Sequence, residues 1–277
     1  MTYTELTQHI QATKSYLCIG LDTAAEQLPH HLAQDTKGML AFNKAIINAT
    51  SEFCVSYKLN TAFYEAQGAK GWEVMHETLA LIPPNKFVIA DAKRGDIGNT
   101  VNQYAKAFFE QMNFHAITVA PYMGADSVMP FLAYKDKWVI LLALTSNESA
   151  KNFQLLDLKK EMPLYQEVLQ QSASWATYEQ MMYVVGATKT AHLAEIRQLM
   201  PNHFLLVPGI GVQGGSLQEV SKYAMNQDVG LLINASRSII YASAKEDFAE
   251  KARLEAQKIQ LEMKELLAQF PFKNSKE

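Results

Sequence analysis

The chain has 277 residues, 48% of them hydrophobic and 19% charged, with a formal net charge of −3. That composition supports a substantial apolar core and excludes a disordered chain. With 25 Lys and Arg against 28 Asp and Glu, there is no basic excess to suggest nucleic acid or an anionic membrane surface as a partner. The longest apolar run, Trp138 to Leu144, is far too short to span a membrane. The N-terminal segment MTYTELTQHI lacks the charged-then-apolar layout of a signal peptide. Two cysteines, Cys18 and Cys54, cannot by themselves build a disulfide framework or a four-ligand zinc site, and both read as small interior fillers. A cytoplasmic protein is expected.

In chain order, short apolar runs alternate with longer stretches of helical character. The runs are 16–22 (YLCIGLD), 54–60 (CVSYKLN), 86–91 (KFVIAD), 115–119 (HAITV), 137–144 (KWVILLAL), 181–186 (MMYVVG), 203–207 (HFLLV) and 229–234 (VGLLIN). Helices are predicted over 97–111, 189–199 and 246–268. In the last, Phe248, Ala252, Ala256, Ile259, Met263 and Leu266 recur at close to a helical period. Eight near-continuous apolar strands, each followed by a helix, suit a parallel sheet buried on both faces. At this length the economical arrangement is one α/β domain over 1–277. It would be a single (β/α)8 TIM barrel with a parallel eight-stranded core, and 269–277 would be a frayed tail. A doubly wound open sheet is the competing architecture.

A barrel of this kind carries its functional groups at the C-terminal ends of the strands. Those ends hold Asp22, Lys58 with Asn60, Asp91 with Lys93, Thr145 with Ser146, and Asn234 with Arg237. Side chains alternate along a strand, so Phe87, Ile89, Asp91 and Lys93 share a face, as do Cys54, Ser56, Lys58 and Asn60, and Cys18, Gly20 and Asp22. Lys58 is therefore expected beside Asp91, with Asp22 near both. Asp96 follows in the turn before the next helix. Plainer roles exist for each: an N-cap for Asp96 on a helix beginning at Ile97, a structural ion pair for Asp91 and Lys93, and a snorkelling lysine at 58. Together they would leave several charges part-buried at strand ends with no task.

Residues 204–215 read FLLVPGIGVQGG and contain four of the 13 glycines. Gly209, Gly211 and Gly214 formally match GxGxxG, but a dinucleotide-binding half needs further βαβ units and only one strand remains. In a barrel, the loops after strands seven and eight form a common phosphate site. Gln213 supplies a donor there and Arg237 a fork for phosphate oxygens. The alternative is a glycine-rich turn with a surface arginine. None of the seven histidines pairs at HxH or HxxxH spacing, and no metal site or Ser-His-Asp arrangement is expected.

The segment DAKRGDIGNT (91–100) resembles the DxKxxDIxxT signature of the orotidine 5'-phosphate decarboxylase family. The resemblance runs from about residue 17 to 243 and takes in CIGLD, YKLNTAFYEAQG, TVAPYMGADS, LALTSN, VPGIGVQGG and SRSI. The length, and KLNTAFYE around Lys58, are similar to the longer bacterial subgroup called type 2. The resemblance implies cofactor-independent decarboxylation of orotidine monophosphate to UMP, the last step of de novo UMP synthesis, with no metal. It implies that Lys58, Asp91, Lys93 and Asp96 form an alternating charged tetrad, with Lys93 the proton donor. It implies a homodimer in which Asp96 completes the neighbour's charge array and Thr100 reaches the neighbour's ribose. Asp22 would bind a ribose hydroxyl and Ser146 the pyrimidine. Pro208 and Gln213 would lie in a mobile phosphate loop, and Arg237 would hold the phosphate, beside Ser236 where many relatives have glycine. The alternatives are a magnesium-dependent sugar-phosphate decarboxylase or synthase of the same barrel superfamily, a Schiff-base aldolase using Lys58 or Lys93, and a non-catalytic phosphosugar-binding protein.

Overall fold

The computed structural model describes residues 1–158, 162–187, 190–209 and 215–270. Among these, all eight expected strands are present: β1 Leu17–Gly20, β2 Ser56–Asn60, β3 Phe87–Arg94, β4 Ala116–Val119, β5 Trp138–Leu144, β6 Met181–Val185, β7 Leu205–Pro208 and β8 Leu231–Ala235. They pair in sequence order, all parallel. Leu17, Cys18 and Ile19 of β1 close the ring against Ile233, Asn234 and Ala235 of β8. The sheet is therefore a closed (β/α)8 barrel, and the open-sheet alternative is set aside. Burial on both faces explains why most strands read as continuous apolar runs.

The helices are α1 Tyr3–Thr13, α2 Thr36–Thr50, α3 Thr61–Glu65, α4 Ala69–Leu81, α5 Gly98–Ala105, α6 Met129–Leu132, α7 Leu164–Ser172, α8 Thr190–Leu199, α9 Leu217–Ala224, α10 Arg237–Ile240 and α11 Phe248–Gln269. The helix predicted over 97–111 begins one residue later. It changes after Ala105 into a wider π-helical stretch over Lys106–Gln111. In α11 the buried stripe is Phe248, Ala252, Ala256, Met263 and Leu267. Leu267, one residue beyond the expected Leu266, takes the innermost place in the last turn.

The N-terminal end of the barrel is closed. Thr2 and Glu5 form a capping box that starts α1. The indole of Trp138 donates to the Met1 carbonyl at 2.9 Å, and Tyr3 lies against both Trp138 and Phe204. His115 and His203 sit before their strands, at this end, and burial pushes both imidazoles down to about 4, so they are neutral at pH 7. Inside the wall, Cys18 and Cys54 are fully buried, and burial raises their thiols to about 12 and about 11, which keeps them protonated and inert. What remains open is the opposite end, where every strand delivers its last residues.

Candidate active site

Three adjacent strands bring their charges together at this mouth. Lys58 of β2 pairs with Gly20 of β1 and Ile89 of β3. Its ammonium donates to Asp22 Oδ1 at 3.2 Å and to Asp91 Oδ2 at 3.0 Å, and the side chain is only 4% exposed. Lys93 Nζ reaches the other oxygen of Asp91, Oδ1, at 2.6 Å, and its side chain is 50% exposed on the open side. Asp91 thus lies between two ammonium groups, one buried beneath it and one facing the mouth. Burial alone would raise its carboxyl, but Lys58 and Lys93 more than reverse that and bring it down to about 2. Burial alone would lower the Lys58 ammonium, but Asp22 and Asp91 hold it above the ordinary lysine value. The plain snorkelling role for Lys58 does not apply, because its charged end is the buried part.

Alternation along regular strands names these neighbours correctly, yet β3 is not regular. Ile89 and Ala90 pair with Ala116 and Ile117 of β4, and the next pair is Arg94 with Val119. Lys93 sits at φ 47°, in the left-handed region, which costs a residue with a side chain roughly 1–2 kcal/mol. Two groups beside it were not singled out from the sequence. Thr118 of β4 accepts a hydrogen bond from the Lys93 backbone N–H. Arg94 pairs with Glu65 of α3 and lies over the rings of Tyr104 and Phe108 at 5.4 and 5.3 Å. The dipeptide after the lysine and a threonine within HAITV were the available signals, but neither is informative until the strand register is known.

The other expected residues are placed as follows. Asp96 is not an N-cap: α5 begins at Gly98, Ile97 occupies the cap position, and Asp96 Oδ1 accepts from the Ile97 N–H at 2.8 Å. Gly98 has φ 59°, so the chain turns through a left-handed residue at the start of α5, past the expected position. Among the described residues Asp96 forms no ion pair, so the chain by itself brings together three of the four expected tetrad members plus Asp22. Thr100 is exposed in the first turn of α5. Asn60 does not join the charges; it caps α3 by accepting from Ala62 N at 3.3 Å. Ser146 is exposed just after β5, in a turn anchored by Gln154, which accepts from Thr145 N at 2.7 Å.

On the far side of the mouth, Pro208 ends β7 opposite Asn234 of β8. Gly209 has φ 86°, and the Gly215 N–H donates to its carbonyl at 3.1 Å, so these two glycines lie close together. Gln213 and the rest of 210–214 lie outside the described residues. Arg237 opens α10 and is exposed. Ser236 before it donates to the Gly20 carbonyl at 3.0 Å, tying β8 to β1. A Cβ at Gly20 would lie 2.8 Å from Ser236 Cβ, so glycine here makes room for that serine. Among the described residues no group of three or more His, Cys, Asp or Glu is placed to hold a metal ion.

Residues 15–252 match the family model for the orotidine 5'-phosphate decarboxylase / HUMPS family. The chain is 53% identical over 272 residues to the orotidine 5'-phosphate decarboxylase of Phocaeicola vulgatus, covering 97% of this chain and 100% of that one. It is 55% identical over 270 residues to the enzyme of that name from Flavobacterium johnsoniae, covering 96% and 98%. Among solved structures it superposes on the OMP decarboxylase of Leishmania donovani with a TM-score of 0.80 at 35% identity, over 94% of this chain and 99% of that one. It also superposes on the UMP synthase of the same organism with a TM-score of 0.81 at 36% identity, over 92% of this chain and 56% of that longer one. A match of this extent, on a closed barrel with a Lys-Asp-Lys array at its mouth, decides the family: the chain belongs to the orotidine 5'-phosphate decarboxylase / HUMPS family.

Proposed function

We propose that the chain is an orotidine 5'-phosphate decarboxylase, a carboxy-lyase that releases CO2 from C6 of orotidine monophosphate and returns UMP, the last step of de novo UMP synthesis. The observation that carries this reading is the Lys58–Asp91–Lys93 array. Departure of CO2 leaves an electron pair on C6, and no ring carbonyl stands where it can delocalise that pair. The protein must therefore stabilise it by charge. Lys93, on the open side of Asp91, supplies an ammonium for that purpose and donates its proton to C6. Lys58 and Asp22 hold Asp91 from below. A substrate carboxylate brought to about 4 Å from Asp91 would be repelled by roughly 4 kcal/mol at an effective dielectric near 20, and the repulsion ends as CO2 leaves. Contacts remote from C6 offset that cost.

Those contacts are assigned to Asp22 and Thr100 at ribose, Ser146 at the pyrimidine, and Pro208, Gln213 and Arg237 around the phosphate. The partner in this reading is the small-molecule nucleotide together with a second copy of the chain. The dimer has support in the loops beside the charge array. Ile97 and Met123 are exposed there, as is Met129 at the start of α6, Tyr122 is 91% exposed, and a Cβ at Gly95 would lie 3.4 Å from Met123 Cε. An uncovered apolar patch of this kind is suited to association. It lies next to Asp96 and Thr100, the residues the reading lends to a neighbouring site. The array needs no cofactor. The whole chain is assigned to one barrel domain; of the tail expected over 269–277, Gln269 ends α11 and 271–277 lie outside the described residues. Among the described residues no helix is long and apolar enough to cross a membrane, and a cytoplasmic location fits the reading.

The HUMPS branch of the same family is the second reading, a magnesium-dependent sugar-phosphate reaction. Here the position between Asp22 and Asp91 is filled by the Lys58 ammonium, which favours the first. The deciding experiment is the fall in orotidine monophosphate absorbance with and without EDTA. Turnover insensitive to chelator is expected. No turnover, or turnover that chelator abolishes, would overturn the proposal.

A further inference from the structure

The irregularity in β3 is a surplus of residues. Between the Ala90–Ile117 and Arg94–Val119 pairs, three residues of β3 (Asp91, Ala92 and Lys93) face one residue of β4, Thr118. A surplus of two preserves the inward–outward alternation and pushes Lys93 out towards the mouth. The left-handed φ of 47° at Lys93 absorbs the extra length. Thr118 is 1% exposed, and its hydroxyl makes two hydrogen bonds. It accepts from the Lys93 backbone N–H at 2.8 Å and donates to Asp91 Oδ1 at 3.1 Å, the same oxygen that receives Lys93 Nζ. One buried hydroxyl therefore fixes the backbone of the lysine and the carboxylate that aims its ammonium. A valine or isoleucine would keep the branched shape and provide neither bond.

We propose that Thr118 is a positioning residue for the decarboxylation, holding Lys93 in its left-handed backbone and Asp91 at the angle that places Lys93 Nζ at the reacting carbon. The inference rests on the function proposed above. Without the hydroxyl, the Lys93 N–H loses its part-buried acceptor and the bulge can relax towards an ordinary extended strand. The ammonium then shifts relative to a substrate held by its ribose and phosphate. Contacts to those groups involve other residues and should be largely unaffected.

The test compares Thr118→Val and Thr118→Ala with Thr118→Ser. For the first two, kcat should fall about 10- to 100-fold, the range expected of an ångström-scale misplacement. The KM for orotidine monophosphate and the affinity for UMP should stay within about threefold, because binding of ground state and product is untouched. Thr118→Ser, which keeps the hydroxyl, should recover kcat to within about threefold of wild type. A kcat for Thr118→Val or Thr118→Ala within about twofold of wild type would overturn the inference, as would equal damage in the serine variant or a parallel loss of UMP affinity. A crystal structure of either hydroxyl-free variant gives a readout independent of turnover. Lys93 should leave the left-handed region and lose its contact with Asp91; an unchanged bulge and ion pair would refute the role. Wild-type protein that fails to decarboxylate would refute the proposed function, while the crystal comparison would still decide whether Thr118 holds Lys93.

Discussion

Replacing Lys58 by methionine removes the cation that stands between Asp22 and Asp91 while keeping most of its volume. The ammonium lies 3.2 and 3.0 Å from the two carboxylates and is almost wholly buried. At an effective dielectric near 20, each contact gives roughly 5 kcal/mol of Coulombic attraction before desolvation is subtracted. Burying the ion cancels much of this, and removing one partner from such a group costs about 3–5 kcal/mol net. The pH dependence identifies the source. Asp91 titrates at about 2 in the folded protein against an ordinary 3.8. Its folded-state value is depressed, so its contribution of about 2 kcal/mol is complete above pH ~4 and is lost as pH falls through about 2. Lys58 is raised above its ordinary value and stays charged across that window, so it adds no slope there. The stability difference between wild type and Lys58→Met should be about 3–5 kcal/mol near pH 7 and shrink as pH falls below about 4. Urea unfolding followed by tryptophan fluorescence at about pH 7 and about pH 3 measures both values. A loss below about 1 kcal/mol at neutral pH, or one equal at both, would show that the buried charges are not what the lysine supports.

Four further outcomes are expected. Lys93→Ala should nearly abolish turnover while UMP binding, measured by calorimetry, persists; a loss of product affinity as large as the loss of rate would contradict its role as proton donor. Arg237→Ala should raise KM through the phosphate with a smaller effect on kcat, and an unchanged KM would count against that assignment. Gly20→Ala places a Cβ 2.8 Å from Ser236 Cβ and 3.0 Å from its Oγ, which should destabilise the fold by about 1–3 kcal/mol; a melting temperature equal to wild type would show that the strands can part freely. Mixing Lys93→Ala with Asp96→Ala protein should regain up to about a quarter of wild-type activity, because half of randomly assorted dimers carry one intact site. Recovery of nothing after subunit exchange would argue that Asp96 serves its own chain.

The sequence by itself determined the eight parallel strands with their helical crossovers, the strand ends that carry the chemistry, and the grouping of Asp22, Lys58 and Asp91. All three follow from local rules: apolar runs mark strands, their spacing implies helical crossovers, and alternation assigns each side chain a face. Tertiary structure alone decided the features that depend on what a distant strand presents. The surplus of β3 over β4 exists only once register is set, so neither the left-handed Lys93 nor the part played by Thr118 could be read from HAITV. Gly20 is small because Ser236, 216 positions away, occupies its space and bonds its carbonyl. Asp96 moved from the cap of α5 to the turn before it because helix entry is set by the left-handed backbone at Gly98 rather than by the residue type at 96. Local propensity states which groups reach the mouth, whereas their angles are set by hydrogen bonds between segments far apart in the chain, whose energies no single segment contains.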